Sequence, residues 1–195
     1  MKSKVELLLA QAKESGAETI SLIPSNDDAQ ETTETRLAGL RGSLAAIRPM
    51  LENAGIKALV EPLGFTTSSL RLKREAVEAI AAVGGNHVFR LVHDTFHHHL
   101  AGEKDYFPKM TGIVHISGVV DPALRPVDMQ DGHRILVYGN DRLGNIDQIE
   151  ALSQRGYDGA YSYEPFAQSV QSDPNLESSL RESMLFIRER MGVSS

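Results

Sequence analysis

The sequence predicts an α/β fold of parallel strands joined by helices, with its working groups at the C-terminal ends of the strands. Two observations carry this. A helix–glycine–strand rhythm recurs four times, at Gly16, Gly55, Gly84 and Gly156, and such alternation builds parallel βα units. Apolar runs also end repeatedly on a metal-competent side chain: Val60-Glu61-Pro62, His93-Asp94, Val114-His115 and Tyr163-Glu164-Pro165. In βα folds the active site lies at these strand ends.

Taken in order, residues 3–15 have Val5, Leu8, Leu9 and Ala12 on one helical face, with Gly16 following as a helix stop. Residues 19–23 form a strand ended by Pro24, and the polar loop Ser25-Asn26-Asp27-Asp28 follows. A helix over about 34–53 turns Leu37, Leu40, Leu44, Ile47 and Leu51 inward, and Pro49 inside it predicts a kink. Residues 56–60 have the length and composition of a buried strand, which Pro62 terminates because it has no N–H to donate. Thr66-Thr67-Ser68-Ser69 can cap the next helix, which buries Leu70, Ala76, Val77 and Ile80. A strand over 87–93 leads into Asp94, and an amphipathic segment covers 103–110. Residues 112–116 form a short strand and 119–133 a loop. Residues 134–138 fit a strand or a helical turn equally well. A helix over 146–154, a strand over 159–163 and a helix over 176–190 complete the chain.

The length of 195 residues suits one domain, residues 1–195. Five strands are clear and a sixth is possible, whereas a closed barrel needs eight strands and about 250 residues. The chain starts on a helix, as if two βα units were missing ahead of it. The net charge of −6 argues against a large nucleic-acid surface. With no cysteine, a metal must be held by His, Asp and Glu, which favours Mn, Mg, Co, Fe or Zn. No apolar run approaches the roughly 18 residues of a membrane helix, so no membrane partner is expected and the cytoplasm is the expected location.

Glu61, Asp94, His115 and Glu164 are far apart in sequence but can converge from neighbouring strand ends. Three carboxylates together repel, and a divalent cation resolves the repulsion. A cation chelated by a carbonyl and the adjacent hydroxyl acidifies the intervening C–H and stabilises an enediolate. A flanking carboxylate then moves the proton. The chemistry is aldose–ketose isomerisation, or epimerisation next to a carbonyl.

Glu61-Pro62-Leu63-Gly64, Asp94-Thr95-Phe96-His97, the His115 strand, His133-Arg134, Gly144-Asn145-Ile146-Asp147 and Glu164-Pro165-Phe166 resemble the xylose-isomerase-like TIM-barrel superfamily. Within it the chain is most similar to the 2-keto-myo-inositol (inosose) isomerases, over roughly residues 15–170; hydroxypyruvate isomerases and ketose 3-epimerases are relatives. The resemblance implies a (β/α)8 barrel, here without its first two βα units. It implies one divalent metal ion (Mn, Co, Mg or Zn) on Glu61, Asp94, His115 and Glu164, and an acid/base pair of Glu61 and Glu164. His97 would hold a substrate oxygen, and Arg134 would bind or polarise the sugar or inosose. Thr67 stands where the 3-epimerases carry a second glutamate, which weakens that assignment.

Each residue also has a plainer role open to it. Glu61 could cap a neighbouring helix, His115 could be a satisfied core histidine, and Arg134 could pair with Asp131. His98 and His99 are assigned to loop packing or solvent, His87 and His93 to structure, and Asn26 to loop capping. The competing functions are a non-catalytic truncated barrel that binds metal or sugar, with exposed strand edges that favour a homodimer, and a nuclease acting at abasic DNA. The acidic balance disfavours the nuclease.

Overall fold

The computed structural model describes residues 2–27 and 31–192, so Asp28 of the acidic loop lies outside the described residues. The elements run α1 (Lys2–Ser15), β1 (Thr19–Leu22), α2 (Thr33–Ala54), β2 (Lys57–Val60), α3 (Lys73–Ala82), β3 (Phe89–Asp94), α4 (Thr95–Ala101), β4 (Thr111–Ile116), α5 (Asn145–Gln154), β5 (Tyr161–Tyr163), α6 (Gln168–Gln171) and α7 (Leu176–Arg190). The five strands form one parallel sheet in chain order, β1-β2-β3-β4-β5. Helices cover its outer face, and the strand C-termini all emerge at one end.

Apolar periodicity explains most of this. In α2, Leu44, Ile47 and Leu51 face the sheet and join Ile20, Ala58, Val60, Phe89 and Leu91 in the main core. The Thr32 hydroxyl accepts from Thr35 N–H at the start of α2, and Gly55 ends it with φ 67°. Pro49 lies inside α2, which nevertheless runs unbroken from Thr33 to Ala54. A second cluster joins Val114 and Ile116 of β4 to Ile149 and Leu152 of α5, with Phe186 of α7 against it.

Three local expectations change. The Thr66–Ser69 stretch does not cap α3, which starts later, after Leu72. Its free N–H groups at Lys73 and Arg74 donate instead to the Glu103 carboxylate, 3.0 and 2.9 Å away. The 103–110 segment contains no helix; the helix lies just before it, as α4. Asp94 caps α4 by accepting from His97 N–H at 2.9 Å, and Gly102 closes it. Residues 134–138 are neither strand nor helix: Ile135 makes only an isolated antiparallel bridge to Gly118.

One irregularity sets the alignment of the strand ends. Leu91 pairs with Thr111 but Val92 pairs with Ile113, so Gly112 is an extra residue in β4. This bulge brings His115 opposite Asp94. Were Gly112 paired with Val92 instead, Val114 would stand there and His115 would turn to the other face. No helix among the described residues is long and apolar enough to cross a membrane.

Candidate metal centre

Glu61 follows the last residue of β2, and its N–H donates to Leu22 O of β1. Asp94 ends β3, His115 lies in β4, and Glu164 follows β5, its N–H donating to Ile116 O. β2 and β5 are three strands apart, about 14 Å in a flat sheet. One ligand atom from each of the four side chains nevertheless lies within 4.8 Å of the others. The sheet is therefore curled, and the side chains converge on its concave side.

Glu61 and Asp94 are buried, and His115 and Glu164 are half-buried. His115 Nδ1 lies 3.3 Å from Glu61 Oε1 and 3.3 Å from Glu164 Oε2, but makes no aligned hydrogen bond. A cation on that nitrogen and the facing carboxylate oxygens would satisfy it, so these residues fit a metal.

Arg134 lies among the carboxylates. Its Nη2 donates to Asp94 Oδ2 at 2.6 Å and to Glu164 Oε2 at 2.8 Å. Its Nη1 donates to Asp131 at 3.1 Å and its Nε to Ser117 Oγ at 3.0 Å. The guanidinium also lies 5.0 Å from the Phe96 ring centre and 4.8 Å from that of Phe166. Three carboxylates and one guanidinium leave a formal charge of −2, which a divalent cation with neutral His115 brings to zero.

The titration shifts follow from this charge. Burial works to lower the His115 imidazole, but the Glu164 and Glu61 carboxylates raise it to about 10. Burial works to raise Glu164, yet His115 and Arg134 bring it down to about 2. Burial raises Asp94, against the pull of Arg134.

The structure brings all six predicted site residues to this end of the sheet. His97, in the first turn of α4, is buried with no hydrogen bond on Nδ1, its ring edge-on to Phe65 at 5.1 Å and Phe96 at 5.2 Å. Arg134 is also buried, beneath the carboxylates, and it bonds Asp131 as well as the site. Sequence reading missed Ser117 and the two phenylalanines around Arg134. The phenylalanines had a signal, since Phe96 and Phe166 fall inside the two quoted motifs; Ser117 had none. Asn26 accepts from the Thr67 hydroxyl, in keeping with loop capping. His98, assigned to loop packing or solvent, is buried on Lys73.

A five-stranded parallel sheet wound in chain order, with its reactive side chains at the strand C-termini, is the arrangement of part of a βα barrel. The chain belongs to the xylose isomerase-like TIM barrel family, whose profile matches residues 3–190. Among solved structures it is similar to a xylose isomerase domain-containing protein from Salmonella typhimurium LT2. That likeness has 31% identity over 95% of this chain and 68% of the other, with a TM-score of 0.84. The IolI protein, solved with a bound zinc atom, shares 18% identity over 96% of this chain and 69% of its own, with a TM-score of 0.85. The D-psicose 3-epimerase of Clostridium cellulolyticum H10, solved with D-tagatose, shares 18% over 97% and 70%, with a TM-score of 0.72. No curated protein sequence matches the chain.

Proposed function

We propose that this protein is a divalent-metal-dependent sugar or polyol isomerase that moves a carbonyl between adjacent carbons, with 2-keto-myo-inositol as the leading substrate. The observation that carries the reading is the convergence of Glu61, Asp94, His115 and Glu164 within 4.8 Å. The zinc atom in the IolI structure and the sugar bound by D-psicose 3-epimerase support it.

Glu61, Asp94, His115 and Glu164 would hold the metal, with Mn, Co, Mg or Zn suited to the donor set. When bound, the metal supplies positive charge next to the substrate's carbonyl and hydroxyl oxygens. Glu61 and Glu164 approach from strands on opposite sides of the centre, so one would take the proton from the hydroxyl-bearing carbon beside the carbonyl. The other takes that hydroxyl's proton and delivers it to the former carbonyl carbon, the first then protonating the former carbonyl oxygen. His97 is assigned to a substrate oxygen through Nε2, because its Nδ1 is buried. Arg134 bridges Asp94 and Glu164 and offsets their charge.

The test is turnover in D2O. Manganese-loaded protein is given inososes, hydroxypyruvate and ketoses, and deuterium entry next to the carbonyl is followed by NMR. Glu164→Gln should abolish exchange and weaken manganese binding. Full activity in that variant would overturn the mechanism, and manganese binding without exchange on any substrate would favour a non-catalytic binding barrel.

A further inference from the structure

A second polar cluster lies beside the Asp94 strand end. Lys73, the first residue of α3, is 4% exposed although it carries an ammonium. Its Nζ lies 2.6 Å from His98 Nδ1, 3.0 Å from His93 Nδ1 and 3.7 Å from Glu103 Oε2. Burial lowers Lys73 to about 8 against the attraction of Glu103, so it remains charged at neutral pH. Burial also pushes His93 well below the usual histidine range and His98 to about 3.

The geometry fixes the direction of these bonds. Gln148 turns its amide nitrogen to two carbonyls, so its Oε1 accepts from His93 Nε2, which leaves His93 Nδ1 to accept from the Lys73 ammonium. His93 Nε2 then donates to Gln148 Oε1 at 2.9 Å. The Gln148 amide nitrogen donates to Thr95 O at 3.0 Å and to Leu143 O at 2.8 Å. The chain runs from Lys73 through His93 and Gln148 to the Thr95 carbonyl. His93 and Thr95 are the neighbours of Asp94 on either side. Lys73 also holds His98, next to His97, whose N–H donates to Asp94 Oδ1.

A nucleophilic role for the amine is ruled out by space. The cavity shared by Lys73, Asp94, His97, His98 and Glu103 has a volume of about 10 Å³, too small for a substrate carbonyl.

We infer that Lys73 is a positioning residue for the candidate metal centre: through His93, Gln148 and His98 it fixes the backbone on both sides of Asp94, and with it the carboxylate. This rests on the reading of Asp94 as a metal ligand. Residues that orient metal ligands from outside the first shell typically carry about 10–100-fold in affinity.

The test uses Lys73→Met, Lys73→Arg and Gln148→Met, the last leaving the ammonium in place in case the lysine variants do not fold. Hydrogen exchange at the His97 amide in metal-free protein reports the Asp94 carboxylate directly, with the Leu51 amide as a global reference. Manganese affinity is measured by calorimetry on the same samples. The expected result is faster exchange at His97 than at Leu51 and manganese binding weakened about tenfold in every variant that folds. Arginine should not rescue, because its planar fork does not match two imidazole acceptors. Unchanged His97 exchange, or exchange that rises equally at Leu51, would overturn the positioning role. So would wild-type affinity in Lys73→Arg with tighter binding in Lys73→Met, the pattern of a pure charge effect. Wild-type protein that takes up no manganese would sink the metal reading by itself, while the His97 exchange would still decide whether Lys73 positions Asp94.

Discussion

Asp94 and Arg134 form an ion pair in which both side chains are 1% exposed and Nη2 and Oδ2 are 2.6 Å apart. The same nitrogen reaches Glu164, so one guanidinium links the ends of β3 and β5. Removing one partner of a buried pair leaves the other charge uncompensated, at a cost of about 3–5 kcal/mol. Arg134→Met should therefore lower unfolding stability by about that amount in metal-free urea titrations. Manganese should restore part of it, because the cation takes over the neutralisation of Asp94 and Glu164. A loss below about 1 kcal/mol, the scale of an exposed pair, would refute the buried geometry.

The raised His115 predicts a pH dependence for metal-free protein. Between its ordinary 6.5 and about 10 the folded state holds a proton that the unfolded chain has released. This contribution to stability is complete below 6.5 and is lost as pH rises. Lys73 acts in the opposite sense, since between about 8 and 10.5 the unfolded chain holds the extra proton. His93, His98 and His99 are lowered and also act in that opposite sense, up to about pH 7.5 where the unfolded histidines have lost their protons. The His115 contribution is therefore read as a difference between two proteins. In urea titrations in EDTA, wild type should lose stability relative to His115→Gln from pH 6.5 to 8, and the wild-type curve should level off from 8 to 9.5. A difference that stays constant from 6.5 to 8 would contradict the assignment.

The Gly112 bulge makes a sharper prediction. Gly112 is the unpaired residue, so one further residue inserted between Gly112 and Ile113 would pair with Val92, bring Val114 opposite Asp94 and take His115 out of the centre. Manganese at about 100 times its dissociation constant stabilises a single-site protein by about 2.7 kcal/mol. An alanine inserted there should abolish that gain in thermal unfolding, whereas Gly132→Ala, where an added Cβ meets nothing within 4 Å, should retain it.

Gly64 tests how closely the loop after Glu61 packs on α4. A Cβ there would lie 2.2 Å from His97 O and 2.7 Å from Leu100 Cβ. Backbone must therefore move, and Gly64→Ala should cost about 1–3 kcal/mol in calorimetry. Because the clash falls on His97, reduced substrate affinity should accompany it. A variant as stable as wild type would mean that α4 shifts freely.

Much of the fold was legible because it is written locally. The glycine stops, the apolar stripe of α2 and the proline after Glu61 each act within a turn or a strand. The four strand-end side chains were legible for the same reason, since each ends or lies in a short apolar run. The start of α3 was missed because its cap, Glu103, comes from about thirty residues downstream. Helix α4 was missed because the residues that start and stop it, Asp94 and Gly102, enclose a histidine run whose apolar face is as short as Phe96 and Leu100. Lys73 drew no attention, because a lysine at a helix start is ordinarily solvated and nothing nearby in sequence marks His93 and His98 as its partners.

The order of residues alone set the parallel βα class, the four candidate ligands and the end of the sheet where they gather. Only the folded chain decided that they meet. The curl of the sheet carries Glu61 to Glu164, the single-residue bulge aligns His115 with Asp94, and Arg134 arrives from a segment with no regular structure. Strand propensity and termination depend on neighbours within a few residues. Convergence depends on register and curvature summed over the whole sheet, where one inserted residue reverses which side chain faces the site.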